Sequence, residues 1–384
     1  MLRLNEEQIR HLRLRANGLV RVGDTHVAQV AARVCGLQAQ ERAAAELAVQ
    51  PRALDPLLGG PRLRDVQADL DAAPDGRRGA VRTWAMRGTI HLLAAEDVAW
   101  LLALLGPVFV KKGQRRRNRL GLDEATCARA TALLRDFLSD ETALTRAELA
   151  EKLGAEDMPV QGQALYHLLY RAGLEGVICF GPDRAGEHTF VLLEDWLGID
   201  ALLQGEDPAA TRLARRYLQG YGPATINDFA RWSGLGMRQA RNAFETLLAS
   251  QPSDVLEVQD QTGQNLFVST GQVDWLDEPQ PEGIMVRFLP AYDSFLLGYE
   301  SRAFIVSETY ARRIHPGGGV IHPTILLNGR AVGVWRLRRN RGQNTVETTP
   351  FEPFGKEQSA AVAMAVQALH CFLQTPQAQQ TLPL

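Results

Sequence analysis

Two glutamines stand two residues apart in the segment Gly36-Leu37-Gln38-Ala39-Gln40, between one helical pattern and the next. An amide has no useful proton affinity, so neither Gln38 nor Gln40 can serve as a general base. Its carbonyl can accept a hydrogen bond from a water, and its NH₂ group can donate one. Two such groups can position a water without strongly activating it, which suffices only where the leaving group is already activated. Their carbonyl dipoles would also favour positive charge that develops in a transition state.

The backbone decides whether the two glutamines can act together. Side chains at i and i+2 point the same way on an extended segment and nearly opposite ways on a helix. We therefore expect Leu37–Gln40 to be a turn or an extended piece, which Gly36 permits. On residue type alone, glutamines at a helix start are expected to face solvent or to contact phosphates.

A basic run follows further along the chain, and its six cations occupy nine residues: Lys111, Lys112, Arg115, Arg116, Arg117 and Arg119. The chain has a net charge of −2, but residues 1–119 hold 20 Lys and Arg against 12 Asp and Glu. Such asymmetry indicates a polyanion partner for the basic part. We interpret the run as a surface for phosphate groups, the other interpretation being a solvated charged face.

A second basic cluster, Arg336, Arg338, Arg339 and Arg341, lies near a predicted strand turn. Arg336 and Arg338 would share a strand face, and a hairpin carrying them could enter a nucleic-acid groove. Three polar residues, Arg87, Thr89 and His91, alternate along a predicted strand and would also share a face. That face is either the polar wall of a pocket, a set of contacts to a nucleic-acid backbone, or an ordinary exposed strand face.

Other candidate sites are weaker. Asp293 is interpreted as a turn carboxylate that caps backbone N–H groups before Phe295. Gly317–Gly319 follows no strand-to-helix junction, so it is no phosphate loop. The four cysteines have no metal-ligand spacing. We predict neither a metal nor a cofactor.

The elements that must position these residues form a weak internal repeat of three helices and a short hairpin, the winged-helix order. The middle copy is the clearest: Thr145 and Glu148 predict a capping box at the start of its second helix. Its hairpin is predicted around Gly181-Pro182-Asp183. The first copy is looser, because a long Pro/Gly/Asp stretch, Pro51–Gly79, separates its helices from a strand at Arg82–Leu92.

The predicted fold class is α+β, with three tandem winged-helix modules followed by a small β-rich, barrel-like C-terminal domain. The predicted domains are residues 1–120, which carry the Gln-Ala-Gln motif, 121–200, 201–278 and 279–384, the last with a closing helix. The N-terminus lacks the apolar run of a signal peptide. The longest apolar stretch is shorter than the roughly 20 residues of a bilayer span. We expect a cytoplasmic protein with no membrane partner.

These features together resemble the AlkZ-like family of bacterial DNA glycosylases. The resemblance rests on Gln38-Ala39-Gln40, on Arg87-Gly88-Thr89-Ile90-His91, and on Leu289-Pro290-Ala291-Tyr292-Asp293. It covers nearly the whole chain, and the order and spacing of the motifs carry it. A related branch has Asp as the last residue of the first motif. Gln40 therefore makes the crosslink-unhooking branch the closer comparison.

The resemblance implies a monofunctional DNA glycosylase that hydrolyses the N-glycosidic bond of N7-alkylguanine, including bulky adducts and interstrand crosslinks. Gln38 and Gln40 would be catalytic. N7-alkylguanine carries a positive charge and leaves readily, so positioning a water would suffice. The partner would be double-stranded DNA carrying alkylated or crosslinked guanine, bound by a monomer, in DNA repair or in self-resistance to a genotoxin.

Two alternatives stay open at this point. Tandem winged helices would serve a non-catalytic DNA-binding regulator equally well. Such a protein would bind a palindromic or repeated site and release no base. A resistance protein that sequesters a DNA adduct would instead bind lesion DNA tightly, and mutation of the glutamines would leave that binding intact.

Overall fold

Three open β-sheets organise the chain. The computed structural model describes residues 2–20, 23–55, 58–71, 79–139, 142–198, 208–250, 253–279, 282–340 and 343–373. Helices and strands are mixed along the chain, so the predicted α+β class is confirmed. The sheets are not closed, and the number of winged-helix modules stays a prediction.

The helices begin at local signals that the sequence shows. Capping boxes at Asn5, Thr145 and Thr225 satisfy the first free N–H groups of three of them. Within the described ranges, no helix is long and apolar enough to cross a bilayer. The helices are α1 (Glu6–Ala16), α2 (Val27–Arg33), α3 (Arg42–Leu47), α4 (Leu63–Asp71), α5 (Ala95–Arg119), α6 (Glu124–Phe137), α7 (Arg146–Ala155), α8 (Ala164–Leu174), α9 (Leu193–Leu197), α10 (Ala209–Tyr221), α11 (Ile226–Ser233), α12 (Met237–Ala249), α13 (Thr270–Val273), α14 (Ser294–Leu297), α15 (Glu308–Ile314) and α16 (Lys356–Leu373).

The largest sheet has six strands in the order β2-β4-β3-β6-β7-β5. Its strands are β2 (Leu37–Gln38), β3 (Ala80–Trp84), β4 (Ile90–Ala94), β5 (Leu144–Thr145), β6 (Ile178–Phe180) and β7 (Thr189–Leu192). Arg82 on β3 pairs with Phe180 on β6, so the hairpin of the second predicted module extends the sheet of the first. The sheet therefore crosses the predicted boundary at residues 120 and 121.

The first module departs from the predicted elements in two ways. The predicted strand Arg82–Leu92 is wrong: β3 and β4 are separate strands joined by a tight turn of one 3₁₀ helix, Met86–Gly88. Arg87 has φ 58° and Gly88 has φ 70°, and this left-handed backbone cannot continue a strand. In addition, the stretch Pro51–Gly79 contains helix α4.

One long helix, α5, follows the strands of the first module. Helix α5 has 25 residues and runs through Pro107 to Arg119. It therefore carries the whole basic run. Its buried face holds Leu105 and Phe109, at the spacing of four that puts residues on one side of a helix.

The N-terminal strand joins the third module. Strand β1 (Arg3–Leu4) pairs in parallel with β8 (Val255–Asp260), which pairs with β9 (Asn265–Ser269). Helix α1 packs Ile9 and Leu12 against this sheet in a small core of its own. The other buried hydrophobic residues that cluster, from Leu14 on α1 to Leu373 on α16, form one continuous core.

The C-terminal part is an open sheet, so the predicted barrel is wrong. Its order is β10 (Val286–Leu289), β11 (Thr324–Leu327), β12 (Arg330–Asn340) and β13 (Gln343–Pro350). The outer strands β10 and β13 do not pair with each other, and α16 packs against both. Residues 303–305 form a turn outside this sheet. Arg341 lies outside the described residues.

A buried ion pair ties the first and last parts of the chain together. Both guanidinium amino groups of Arg52 donate to the Asp293 carboxylate at 2.8 Å, and both side chains are fully buried. Asp293 also accepts from the backbone N–H of Phe295 at 2.9 Å, so the predicted capping role is confirmed. Arg52 donates further to the backbone oxygens of Asn17 and Ala48.

Removing one partner of this pair leaves the other charge buried and uncompensated. We expect Arg52→Leu, or Asp293→Asn, to lower the free energy of unfolding by about 3–5 kcal/mol. Guanidinium denaturation followed by circular dichroism measures this. Arg231→Leu is the matched control, because its pair with Glu300 is exposed and should contribute within about 1 kcal/mol. An Arg52→Leu protein as stable as the control variant would contradict the assignment.

Candidate functional site

The Gln38–Gln40 segment begins where helix α2 ends in left-handed backbone. Cys35 has φ 48° and Gly36 has φ 110°, and the Gly36 N–H donates to the Ala31 carbonyl at 2.8 Å. A Cβ on Gly36 would lie 2.8 Å from the Leu93 side chain and 2.9 Å from that of Met86. Glycine is therefore required both by the turn and by the packing beneath it.

The segment then runs extended along the edge of the six-stranded sheet. Leu37 and Gln38 form β2, and the Ala39 N–H continues the pairing to the Ile90 carbonyl at 2.8 Å. The expectation of an extended piece is confirmed for Leu37–Ala39. Gln40 follows at a bend and is exposed to solvent, just before α3.

A row of polar side chains crosses three strands of this sheet. Gln38 is opposite His91, and His91 is opposite Thr83. Residues directly opposite each other on antiparallel strands project from the same face. Within the described residues, Gln38 Oε1 and Thr83 Oγ1 are buried without a hydrogen-bond partner. Such atoms are rare and costly unless a water or ligand satisfies them.

His91 is held neutral in this row. It is 2% exposed, and Nδ1 lies 2.9 Å from the carbonyl oxygen of Thr89. Burial, reinforced by the charge of Arg87, lowers the pKa of His91 to about 3. Because a carbonyl oxygen only accepts, Nδ1 of the neutral ring carries the proton and Nε2 keeps its lone pair.

Arg87 and Thr89 do not share a strand face with His91, so that prediction is wrong. Both lie in the turn before β4. The Arg87 guanidinium donates to the carbonyl oxygen of Trp232 at the end of α11, and burial lowers its pKa to about 10. The Thr89 hydroxyl donates to the carbonyl oxygen of Met86 at 3.1 Å and closes the turn.

Arg82 is a residue of the site that the sequence interpretation missed. Its Nε donates at 3.1 Å to the carbonyl oxygen of Ala39, between the two glutamines. Its guanidinium lies over the Phe180 ring, and burial lowers its pKa to about 10. The sequence could have indicated this residue, because Arg82 is the one charged residue in the strand Ala80–Trp84.

The basic run divides between two faces of α5. Five of its six members are exposed: Lys111, Lys112, Arg115, Arg116 and Arg119. Arg117 is 3% exposed and donates to the carbonyl oxygen of Val110 at 2.8 Å, so its predicted exposure is wrong. It follows Phe109 by eight residues and therefore lies on the buried face.

The second basic cluster lies on a long hairpin. Arg336 and Arg338 are two residues apart on β12 and are both exposed. Arg338 pairs with Glu347 on β13 at 2.7 Å, which offsets part of its charge. These arginines lie on the C-terminal sheet, whereas the α5 cations lie in the first predicted module.

The chemistry available at the site is that of neutral polar groups beside cations. Among the described residues, no three His, Cys, Asp or Glu side chains group as metal ligands. The polar row offers an unpartnered carbonyl oxygen, a neutral imidazole and a hydroxyl. Such groups can hold a water and stabilise a nearby positive charge.

Comparisons with known proteins agree with one another. A family model described as "DNA glycosylase AlkZ-like" matches residues 31–372. An "Interstrand DNA cross-link repair glycosylase" of Streptomyces sahachiroi is 32% identical over 325 residues, which cover 80% of this chain and 81% of that protein. The structure of Streptomyces sahachiroi DNA glycosylase AlkZ superimposes with a TM-score of 0.77 at 26% identity, covering 97% of each chain.

The neutral state of His91 makes folding sensitive to acid. Between pH 6.5 and about 3, the unfolded chain binds a proton at this residue and the folded chain does not. Stability therefore falls as the pH falls through this window, by about 1.4 kcal/mol per pH unit from this group. From pH 7 to pH 5, we expect the free energy of unfolding of His91→Gln to fall by about 2 kcal/mol less than that of wild type. Denaturant titrations at the two pH values test this, and identical losses in both proteins would contradict it.

Proposed function

This chain belongs to the AlkZ-like family of DNA glycosylases, enzymes that hydrolyse N-glycosidic bonds, and we propose that its substrate is N7-alkylated guanine in double-stranded DNA. The proposal includes bulky adducts and interstrand crosslinks, in line with the crosslink repair named for its Streptomyces relative. The reaction releases the alkylated base and leaves an abasic site. One chain acts as a monomer, because the predicted DNA-binding modules are already in one polypeptide.

The observation that carries the proposal is the unpartnered carbonyl oxygen of Gln38. It is buried beside His91 on the sheet, and no described residue donates to it. A water can donate a hydrogen bond to such a buried acceptor, and its second proton and its lone pairs remain free to interact with other groups. In our proposal this water is the one that attacks the sugar.

Two amides suffice because of the leaving group. An N7-alkylguanine is a cation, so breaking its glycosidic bond releases a neutral base and leaves positive charge on the sugar. The carbonyl dipoles of Gln38 and Gln40 stabilise that charge, and no strong base is needed to activate the water. An uncharged base would demand more help, usually from a carboxylate.

The residues around the motif fix its geometry. Arg82 holds the carbonyl oxygen of Ala39, and this contact limits rotation of the backbone between the two glutamines. His91, neutral and with its proton on Nδ1, supports the row as an acceptor at Nε2 rather than as a second positive charge near a cationic sugar. We propose that Arg87 and Thr89 shape the turn that presents this row.

The exposed cations would hold the DNA. Lys111, Lys112, Arg115 and Arg116 project from the last turns of α5, and we propose that they contact backbone phosphates. Arg336 and Arg338 would contact the duplex from the C-terminal hairpin. Arg117 has no such role, because its side chain is buried.

Replacing the glutamines tests the catalytic proposal. We expect Gln38→Ala to lower the single-turnover rate of N7-methylguanine excision by roughly 100-fold, and the Gln38→Ala/Gln40→Ala double variant by more. Excision is read as strand cleavage on a denaturing gel after hydroxide treatment. Gln367→Ala, an exposed glutamine on α16, is the matched control and should be unaffected.

The possible results separate the parts of the proposal. An unchanged rate in the double variant would refute the role of the glutamines. No cleavage by wild type of either an N7-methylguanine or an N7-crosslinked duplex would refute the substrate class. Cleavage of the crosslinked duplex alone would restrict the substrate to bulkier lesions.

Removing cations from α5 tests the DNA surface. We expect Lys111→Ala/Arg115→Ala to weaken binding to lesion and undamaged duplexes alike. The slope of log affinity against log salt should fall by about 1.8, since each phosphate contact contributes about 0.9. The control is Arg129→Ala/Arg135→Ala, which removes the same charge from exposed ion pairs on α6. Equal slopes for both variants would contradict the proposed surface.

A further inference from the structure

An aromatic surface lies beside the cationic end of α5 and has no part in the chemistry described so far. Tyr166 and Tyr170, one helical turn apart on α8, stack with ring centroids 5.8 Å apart and planes 12° from parallel. Trp84 meets Tyr170 edge to face at 5.9 Å and anchors the pair to the sheet. Tyr166 nevertheless remains 41% exposed, so one ring of the stack is open to solvent.

The rings border a groove of about 490 Å³ at the end of the sheet that carries the β3–β4 turn. Its lining includes Arg87, Gly88, Phe109, Lys112, Tyr166 and Tyr170. A volume of this size is within the roughly 300–1,000 Å³ range of small-ligand pockets. Gly88 allows the β3–β4 turn to pack against Tyr170, because a Cβ there would lie 2.3 Å from the Tyr170 hydroxyl oxygen.

Cations flank the rings. The Lys112 ammonium lies 5.0 Å from the Phe109 ring centroid and donates to the carbonyl oxygen of Gly234 at 2.6 Å. Arg116, one turn further along α5, donates to Gln163 at the start of α8. Rings that alternate with cations are the arrangement that binds unpaired nucleotides, since the bases stack and the phosphates meet the charges.

We propose that this groove binds one unpaired nucleobase of the DNA, stacked on Tyr166, with its flanking phosphates on Lys112 and Arg116. The proposal rests on the proposed function, because it assumes that α5 contacts DNA. The flanking charges favour a nucleotide over an uncharged aromatic ring of an adduct, since only the nucleotide brings a phosphate with its ring. A base held there would keep the duplex open around a lesion.

Two variants of Tyr166 are matched for the test. Both Tyr166→Phe and Tyr166→Leu remove the hydroxyl group of Tyr166. They differ only in the ring. The half-exposed position tolerates both side chains, and thermal unfolding of each variant verifies that it is folded at the assay temperature.

The measurement is affinity by fluorescence anisotropy for four duplexes of one sequence. The first duplex is fully paired, the second has one bulged adenine, and the third has a bulged tetrahydrofuran abasic spacer. The fourth carries an uncharged mimic of guanine that bears an aromatic substituent at the position of N7. We expect wild type and Tyr166→Phe to bind the bulged adenine about tenfold more tightly than the spacer. For Tyr166→Leu the ratio should fall to about one, with affinity for the paired duplex unchanged.

Each other outcome has a distinct meaning. The stacking site alone is overturned if Tyr166→Leu still prefers the bulged adenine over the spacer. It is also overturned if wild type binds the paired duplex normally but does not prefer the bulged adenine over the spacer. If Tyr166→Leu weakens binding only to the duplex with the aromatic substituent, the groove binds the ring of an adduct and not an unpaired nucleobase. Failure of wild type to bind any duplex overturns the proposed DNA surface of α5 together with this inference.

Discussion

The buried pair of Arg52 and Asp293 joins segments that are 241 residues apart. Two charges removed from water are tolerable only if all their hydrogen-bonding groups are satisfied. Here the guanidinium also meets the Asn17 side chain and two backbone oxygens, and the carboxylate caps α14. Next to that cap, the Ser294 hydroxyl lies 3.5 Å from the carbonyl oxygen of Gly36. The pair therefore fixes the C-terminal sheet against the turn from which the glutamine segment starts.

From that turn onward, strand pairing places the polar groups. Register along β2, β4 and β3 brings Gln38, His91 and Thr83 into one row, although 53 residues separate the first two. Polar atoms that end without partners in such a row reduce stability. The fold tolerates this cost at the same place where the proposed reaction requires a positioned water. The coincidence of a destabilising feature with the motif is what favours a functional interpretation over a structural one.

The surface around the site follows from helix geometry. Helix α5 turns the basic run into two faces, because residues four apart lie on one side. Arg117 continues the buried series of Leu105 and Phe109, while its neighbours remain exposed. The exposed cations lie next to the tyrosine stack of α8. Exposed cations and an exposed aromatic ring are thus combined on adjacent helices, which a count of charges along the chain does not reveal.

The sequence by itself determined the features whose causes are local. The capping box at Thr145, the α16 helix and the hairpin at residues 178–192 depend on neighbours that are close in the chain. Tertiary structure alone decided the rest. The sheet shared through Arg82 and Phe180, the pairing of β1 with β8, the open C-terminal sheet and the Arg52–Asp293 pair join residues far apart in the chain. No local propensity specifies such partners, because the energy of each contact exists only once the other segment is in place.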